Sequence, residues 1–528
     1  MRSKNEGQNR PTAVFCAIQW VLALTLSVLP AVSDEPSPSD LKRQYREAFR
    51  SGEKAPRLAL VRAAAARGDA TGTRLLLEIL RRNETTLERT LYRKRAGHGR
   101  MIDRIFQRAI DGKRLLSDAE NTHLQTVKAS LATVDRQIDS IVEVRWQAAE
   151  ALSKCTQPEA RALFLEVARQ DRNRFLRNAA VRALGQAGDP DLVPILRRIV
   201  ADDDEPTLQT AALDTLGRLR AGAAFEEIAS ALEARHWPVR AAAAAALGAI
   251  GDLRAVRILI DRLPEEIGRL RADLDRALGR LTGFEFGGSA ALWESWWKVH
   301  GSSVNDGSFV RREKTVSNGP QETGITFYGV RSLSNRIIFI LDISMSMKYR
   351  AGTRFPVSGG PNVIQPVGNR KIDIARAQLK TALLALPEGA EFNIIFYRQG
   401  IEVLHPKMVR RTDRNLKRAF EFIDRRRPAG GTNLFDALHR AFNPVEVLDS
   451  GTRITDRNYA ALADTVYLLS DGEPNYGRLQ SSTRMVQEIG RLNRSRKIVV
   501  HAIGIGEHNV SFMRGLAEAT GGEYAAHE

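Results

Sequence analysis

Cysteine is scarce in this chain, with only 2 among 528 residues. Cys16 lies in an apolar stretch near the start and lacks the small-residue setting of a lipoprotein signal. Removal of that stretch leaves Cys155 as the sole thiol, so no intrachain disulfide can form and stability must come from packed cores. Cys155 itself reads as a small buried apolar residue. The chain also lacks a P-loop, an H-E-x-x-H helix and paired-cysteine zinc spacing. G-I-G-E near Gly504 reads as a strand-end turn, not a dinucleotide fingerprint. The 9 histidines are scattered and read as structural or surface residues. After the first thirty or so residues no apolar run is long enough to cross a bilayer. These absences exclude a disulfide scaffold, the common nucleotide and zinc sites, and a multi-span membrane protein.

A composition of 43% hydrophobic and 27% charged residues is that of a folded protein, and the length implies two or three domains. At the start, Arg2, Lys4 and Arg10 precede an apolar run from about Ala13 to Leu29, and Ala31-Val32-Ser33 then precedes Asp34. Residues 1–33 therefore read as a signal peptide with a mature start at Asp34; the other reading is an uncleaved anchor, apolar but for Gln19. The expected location is the periplasm, cell envelope or exterior. A formal charge of +17 raises nucleic acid as a partner. Export and the interleaving of basic with acidic residues argue against it, and an acidic partner fits better.

After a Pro/Ser linker near 35–40, residues 41–300 read as helical, with an internal repeat. VRWQAAEAL starts at Val144, LRNAAVRAL at Leu176, LQTAALDTL at Leu208, VRAAAAAAL at Val239 and LRADLDRAL at Leu270, spaced 32, 32, 31 and 31 residues apart. A period so regular marks a solenoid, in which each helix pair buries its apolar stripe only against its neighbours. The units resemble short HEAT repeats. Gly-Asp at 188–189 and 251–252 supplies turns between helices, and Arg57 to Arg82 reads as an earlier, degenerate pair. Residues 86–142 read as a helical insertion with one break near Asp111-Gly112, either projecting or packed along the repeats. Trp293, Trp296 and Trp297 read as a cap on the last repeat.

Residues 301–320, rich in Ser, Asn and Gly, read as a linker, and 321–528 alternates strands with helices. Buried strands are expected at Ile337 to Leu341, Phe392 to Tyr397, Thr465 to Leu469 and Ile498 to Ile503, with a helix from Ile372 to Leu386. The expected fold is thus an α-solenoid followed by an α/β doubly wound domain, with its crevice at the carboxyl ends of the strands.

The first strand runs into Asp342, Ser344 and Ser346, as D-x-S-x-S. Thr432 follows in a Gly-Gly-Thr-Asn turn, and Asp471 in Ser-Asp-Gly after a later strand. Oxygen side chains converging on one rim suit a hard divalent cation. The pattern resembles the metal-ion-dependent adhesion site of a von Willebrand factor type A domain. That resemblance implies that Asp342, Ser344, Ser346, Thr432 and Asp471 hold Mg²⁺, with Mn²⁺ or Ca²⁺ as alternatives, and that an acidic group of a partner completes the ion's shell. Met345 departs from the glycine common between the two serines. From Ile343 through Ile372 the chain has no acidic residue but carries Lys348, Arg350, Arg354, Arg370 and Lys371, which implies an anionic macromolecular ligand. The Arg425 to Arg427 run reads as complementing a helix C-terminus. No motif sets a base beside either serine, so binding or adhesion by a non-enzyme is expected. The alternative function is an accessory type A subunit of a chelatase or AAA+-like machine.

Overall fold

The computed structural model describes residues 37–527, apart from 312–314, 317–323, 353–362, 443–462 and shorter stretches and single positions between 52 and 172. The signal segment and Arg354 lie outside the described residues. Among those described, no helix is long and apolar enough to cross a membrane.

Helix pairs stack from Lys54–Arg67 with Ala70–Arg81 up to Ala255–Arg262 with Arg269–Thr282, around one continuous core. The recurring motif helices are the end of Asp118–Leu152, then Arg174–Gln186, Pro206–Arg218, Trp237–Ile250 and Arg269–Thr282. Each of the last four carries a glycine after its Ala-Leu or equivalent, and those at 185, 217 and 248 set the stacking distance to the next motif helix. A Cβ on Gly217 would come within 2.9 Å of the Ala246 Cα, and one on Gly248 within 3.0 Å of the Ala277 Cα. Alanine alone does not give that approach; a hydrogen at those positions does.

The polar residue second in each motif has a structural task. Arg177 Nε donates to the carbonyl of Ala168, Gln209 Nε2 to Val200 and Arg271 Nε to Leu263, each at the C-terminal end of the preceding helical segment. Arg57 does the same to Ala48, which places the early pair in the same scheme. These side chains satisfy carbonyls that a helix end leaves without intrahelical donors. Arg145 instead bonds Ile141 within its own helix, because no helix end precedes it. At the expected turns, Gly188 and Gly251 adopt φ of 73° and 84°, and the Asp189 and Asp252 carboxylates accept from backbone N–H two residues on.

Two boundaries differ from the sequence expectation. Ala290–Asn305 is one helix running past residue 300, since Gly301 lies against the Trp297 ring and Val304 is buried. Packing here overrides a linker-like composition. A short strand β1, Phe284–Glu285, then pairs with β2, Thr315–Val316. The helix Asp118–Leu152, started by a Ser117–Glu120 capping box, passes through residue 142 without a break. Its C-terminal part is the first motif helix, and its N-terminal part forms an arm lying against the second domain. Leu91, Ile102 and Ile105 pack on it in cores separate from that of the repeats, which is the expected hairpin projecting from the solenoid. Trp293 and Trp296 close the last repeat, with Trp293 Nε1 donating to Asp275 at 2.6 Å.

The second domain opens with a hairpin of β3, Ile325–Phe327, and β4, Val330–Ser332. The main sheet holds β5 Arg336–Asp342, β6 Glu391–Tyr397, β7 Ile401–Val403, β8 Val409–Arg410, β9 Thr465–Ser470, β10 Val499–Ile505 and β11 Tyr524–His527. Its order is β11-β10-β9-β5-β6-β7, parallel except for β7 and β8, which pair antiparallel with β6. Ile337, Phe339 and Leu341 face one core with the helix Lys371–Ala385; Ile338 and Ile340 face another with Leu434–Phe442. The chain goes from β5 to β6 on one side and returns to β9 on the other. This switch point opens a crevice at the carboxyl ends of β5 and β9.

Ion pairs and hydrogen bonds join the domains. Lys497 bonds Asp214 at 2.7 Å, Arg484 bonds Asp139 and Glu143, and Arg269 donates to the Asp464 and Lys497 carbonyls. Basic residues that composition assigned to solvated faces are therefore partly spent at this junction.

Candidate metal site at the strand ends

Asp342 ends β5 and is fully buried. Its Oδ1 accepts from the Ser344 N–H at 2.7 Å and its Oδ2 from the Ser470 hydroxyl at 3.2 Å. Past Ser344 the chain turns through Met345–Lys348, which returns the Ser346 hydroxyl to within 3.0 Å of the Ser344 hydroxyl. Ser346 also donates to Asp471 Oδ1 at 2.8 Å across the β5–β9 switch point. Thr432 lies on the same rim: a Cβ on Gly472, next to Asp471, would stand 3.7 Å from the Thr432 hydroxyl. All five expected residues are thus brought to one place.

Backbone bonds lock the three segments together. The Met345 N–H donates to Gly430 and the Ala429 N–H to Ile343. Thr432 N–H donates to Asn475 Oδ1 at 2.8 Å, while the Asn475 and Tyr476 N–H groups donate back to the Thr432 carbonyl. A Cβ on Gly431 would lie 2.7 Å from Asn475 Oδ1, so a side chain there would displace the amide that holds Thr432. Asn475 was missed in the sequence. Its signal was its place in Asp-Gly-Glu-Pro-Asn, four residues after Asp471.

In the sequence Lys371 stands only as one residue of a basic loop. It donates to Asp471 Oδ2 at 2.9 Å, a contact with the lysine side chain 12% and the carboxylate 0% exposed. The basic rim is correspondingly reduced. Arg370 is bound by Asp373, just past the acid-free stretch, at 2.8 and 2.9 Å. Lys348 and Arg350 remain exposed, beside exposed Tyr349 and a half-exposed Met345. Of the Arg425 to Arg427 run, Arg427 donates to the Asp424 carbonyl at the helix end, while Arg426 pairs with Glu402 of β7.

Electrostatics test whether the donor set suits a cation. Burial, and the Asp471 carboxylate beside it, push the Asp342 carboxyl up to about 7. Two carboxylates buried together lack positive charge, and Lys371 supplies one ammonium to only one of them. Hard carboxylate and hydroxyl oxygens are what Mg²⁺ and similar ions take. The residues present fit such an ion.

Comparison with known proteins agrees with the architecture. A model of the von Willebrand factor type A domain matches residues 367–526, and one of HEAT repeats matches 136–217 and 201–279. The D-x-S-x-S segment lies before the first of these matches. The human inter-alpha-trypsin inhibitor heavy chain H4 is 24% identical over 231 residues, 42% of this chain and 22% of that protein. The human von Willebrand factor A domain-containing protein 3A is 25% identical over 136 residues, 25% of this chain and 10% of that one. This chain therefore spans less than a quarter of the length of either relative. Among solved structures, a type A protein from Catenulispora acidiphila is 21% identical, covering 38% of this chain and 40% of its own at a TM-score of 0.28. The PilB minor pilin of Streptococcus sanguinis is 14% identical, with 41% and 61% covered and a TM-score of 0.26. The chain is a HEAT-repeat solenoid followed by a C-terminal von Willebrand factor type A domain.

Proposed function

We propose that this is an exported, non-enzymatic binding protein that takes a divalent cation on the rim formed by Asp342, Ser344, Ser346, Thr432 and Asp471. A carboxylate of a protein partner would complete the ion's shell. The observation that carries this reading is the hydroxyl bridge from Ser344 through Ser346 to Asp471, beside a second buried carboxylate. The serines and threonine bring no charge, so two carboxylates would leave a bound Mg²⁺ electron-poor and receptive to an anionic ligand. The exposed rim residues suit the same partner. Lys348 and Arg350 attract acidic groups and speed encounter in a salt-dependent way, while Met345 and Tyr349 offer apolar contact beside the coordinating carboxylate.

The test is a calorimetric titration of the chain with Mg²⁺ and Mn²⁺. One ion should bind, and Asp342→Ala should abolish binding while the circular dichroism spectrum stays unchanged. Undiminished binding in Asp342→Ala would remove the assignment.

A further inference from the structure

Arg95, in the helical insertion, stands between two carboxylates of different domains. It donates to Asp135 of the long arm helix at 2.6 Å and to Asp436 at 2.5 Å. Burial works against its charge, and Asp436 and Asp135 more than offset that and hold it above the ordinary arginine range. Asp436 lies in the first turn of Leu434–Phe442, and its Oδ2 also accepts from Asn433 Nδ2 at 2.7 Å. Asn433 adjoins Thr432. Its amide further donates to the Gln399 carbonyl, and its own backbone N–H to that of Arg398.

The arm also touches the other segment that holds Thr432. Lys128 lies 5.6 Å from the Tyr476 ring centre, and the Tyr476 N–H donates to the Thr432 carbonyl. Further along the arm, Asp139 and Glu143 bind Arg484 in the helix Ser482–Asn493, which follows this loop. The arm helix and Arg95 beside it thus reach both neighbours of one expected metal ligand.

We infer that Arg95 is a positioning residue for Thr432: through Asp436 and Asn433 the helical arm holds the threonine turn in place, coupling the repeats to the metal rim. The inference rests on the reading of that rim as a cation site. A free threonine turn would have to be ordered when the ion binds, and that cost appears as weaker affinity. Conversely, a partner that draws the arm off the type A domain loosens the site.

Full-length chain, Arg95→Met and Asp436→Asn would be titrated with Mn²⁺ and followed by amide hydrogen exchange. Each variant should bind Mn²⁺ about fivefold or more weakly, with faster exchange across 430–436 and 473–477. The double variant should be no weaker than the weaker single, since both break one link. Arg95→Lys should recover part of the loss. If Arg95→Met fails to fold, Asp436→Asn carries the same expectation. Unchanged affinity and exchange in a folded variant overturn the inference alone; a parent chain that binds no Mn²⁺ overturns the metal reading and this inference with it.

Discussion

The repeats and the type A domain draw their decisive contacts from different distances along the chain. In the repeats, Arg177 bonds Asp203 and Arg240 bonds Glu266, each 26 residues away. At the strand-end rim, Ser346 reaches Asp471 over 125 residues, Ser470 reaches Asp342 over 128 and Lys371 reaches Asp471 over 100. A solenoid built from neighbour contacts loses strength one interface at a time. The rim exists only once the sheet has closed, so its residues form and fail as a unit. The arm joins the two regimes, since Arg95 and Asp436 are 341 residues apart.

The largest expected effect is in the solenoid. Gly217→Val puts side-chain atoms into the Ala246 backbone and should cost about 3 kcal/mol in urea unfolding. Amide exchange should quicken in Pro206–Arg218 and Trp237–Ile250 before it does in β5 or β9. Equal loosening of both domains would erase the contrast between local and concerted failure.

A smaller effect separates the domains by pH. His501 in β10 is buried and stacked on Tyr467, and burial, with the nearby Arg269 charge, lowers it to about 4. The unfolded chain takes up the proton near pH 6.5, so the neutral ring stabilises the fold above that pH. This contribution is lost as pH falls toward 4, by roughly 1 to 2 kcal/mol between pH 7 and 5. His501→Gln should flatten that slope for the type A domain and leave the repeats' pH response alone. A slope unaltered in the variant would assign the acid sensitivity elsewhere.

The smallest effect concerns the rim's own cation. Lys371→Met removes a positive charge that shares Asp471 with any incoming ion, and Mn²⁺ affinity should tighten several-fold, about 1 kcal/mol. Weaker binding in this variant would mean that the ammonium orients the carboxylate instead of competing for it.

What could be read from the sequence follows the same division. The solenoid announced itself because a local packing problem recurs with a period, and the Ala-Leu endings and Gly-Asp turns repeat with it. The stacking glycines 185, 217 and 248 share that period, yet they pass as helix residues until the neighbouring helix is in place. The five rim residues were legible because each follows a buried strand or a glycine turn. Lys371 and Arg95 were not, since they matter through distant partners that leave no pattern along the chain, and Asn475 had only its place after Asp471 as a signal. The loop's five basic residues read as a uniform field because Asp373 and Asp471, which take up two of them, lie outside the acid-free stretch. The end of the Ala290–Asn305 helix was hidden by residues that compose linkers as readily as small-residue packing.

Anomalous diffraction from crystals grown with Mn²⁺ tests the central claim most directly. One peak is expected on the rim, about 2.0 to 2.2 Å from the Ser344 and Ser346 hydroxyls, with Lys371 withdrawn from Asp471. A rim without anomalous density, with Lys371 still bonded to Asp471 at saturating Mn²⁺, would contradict it.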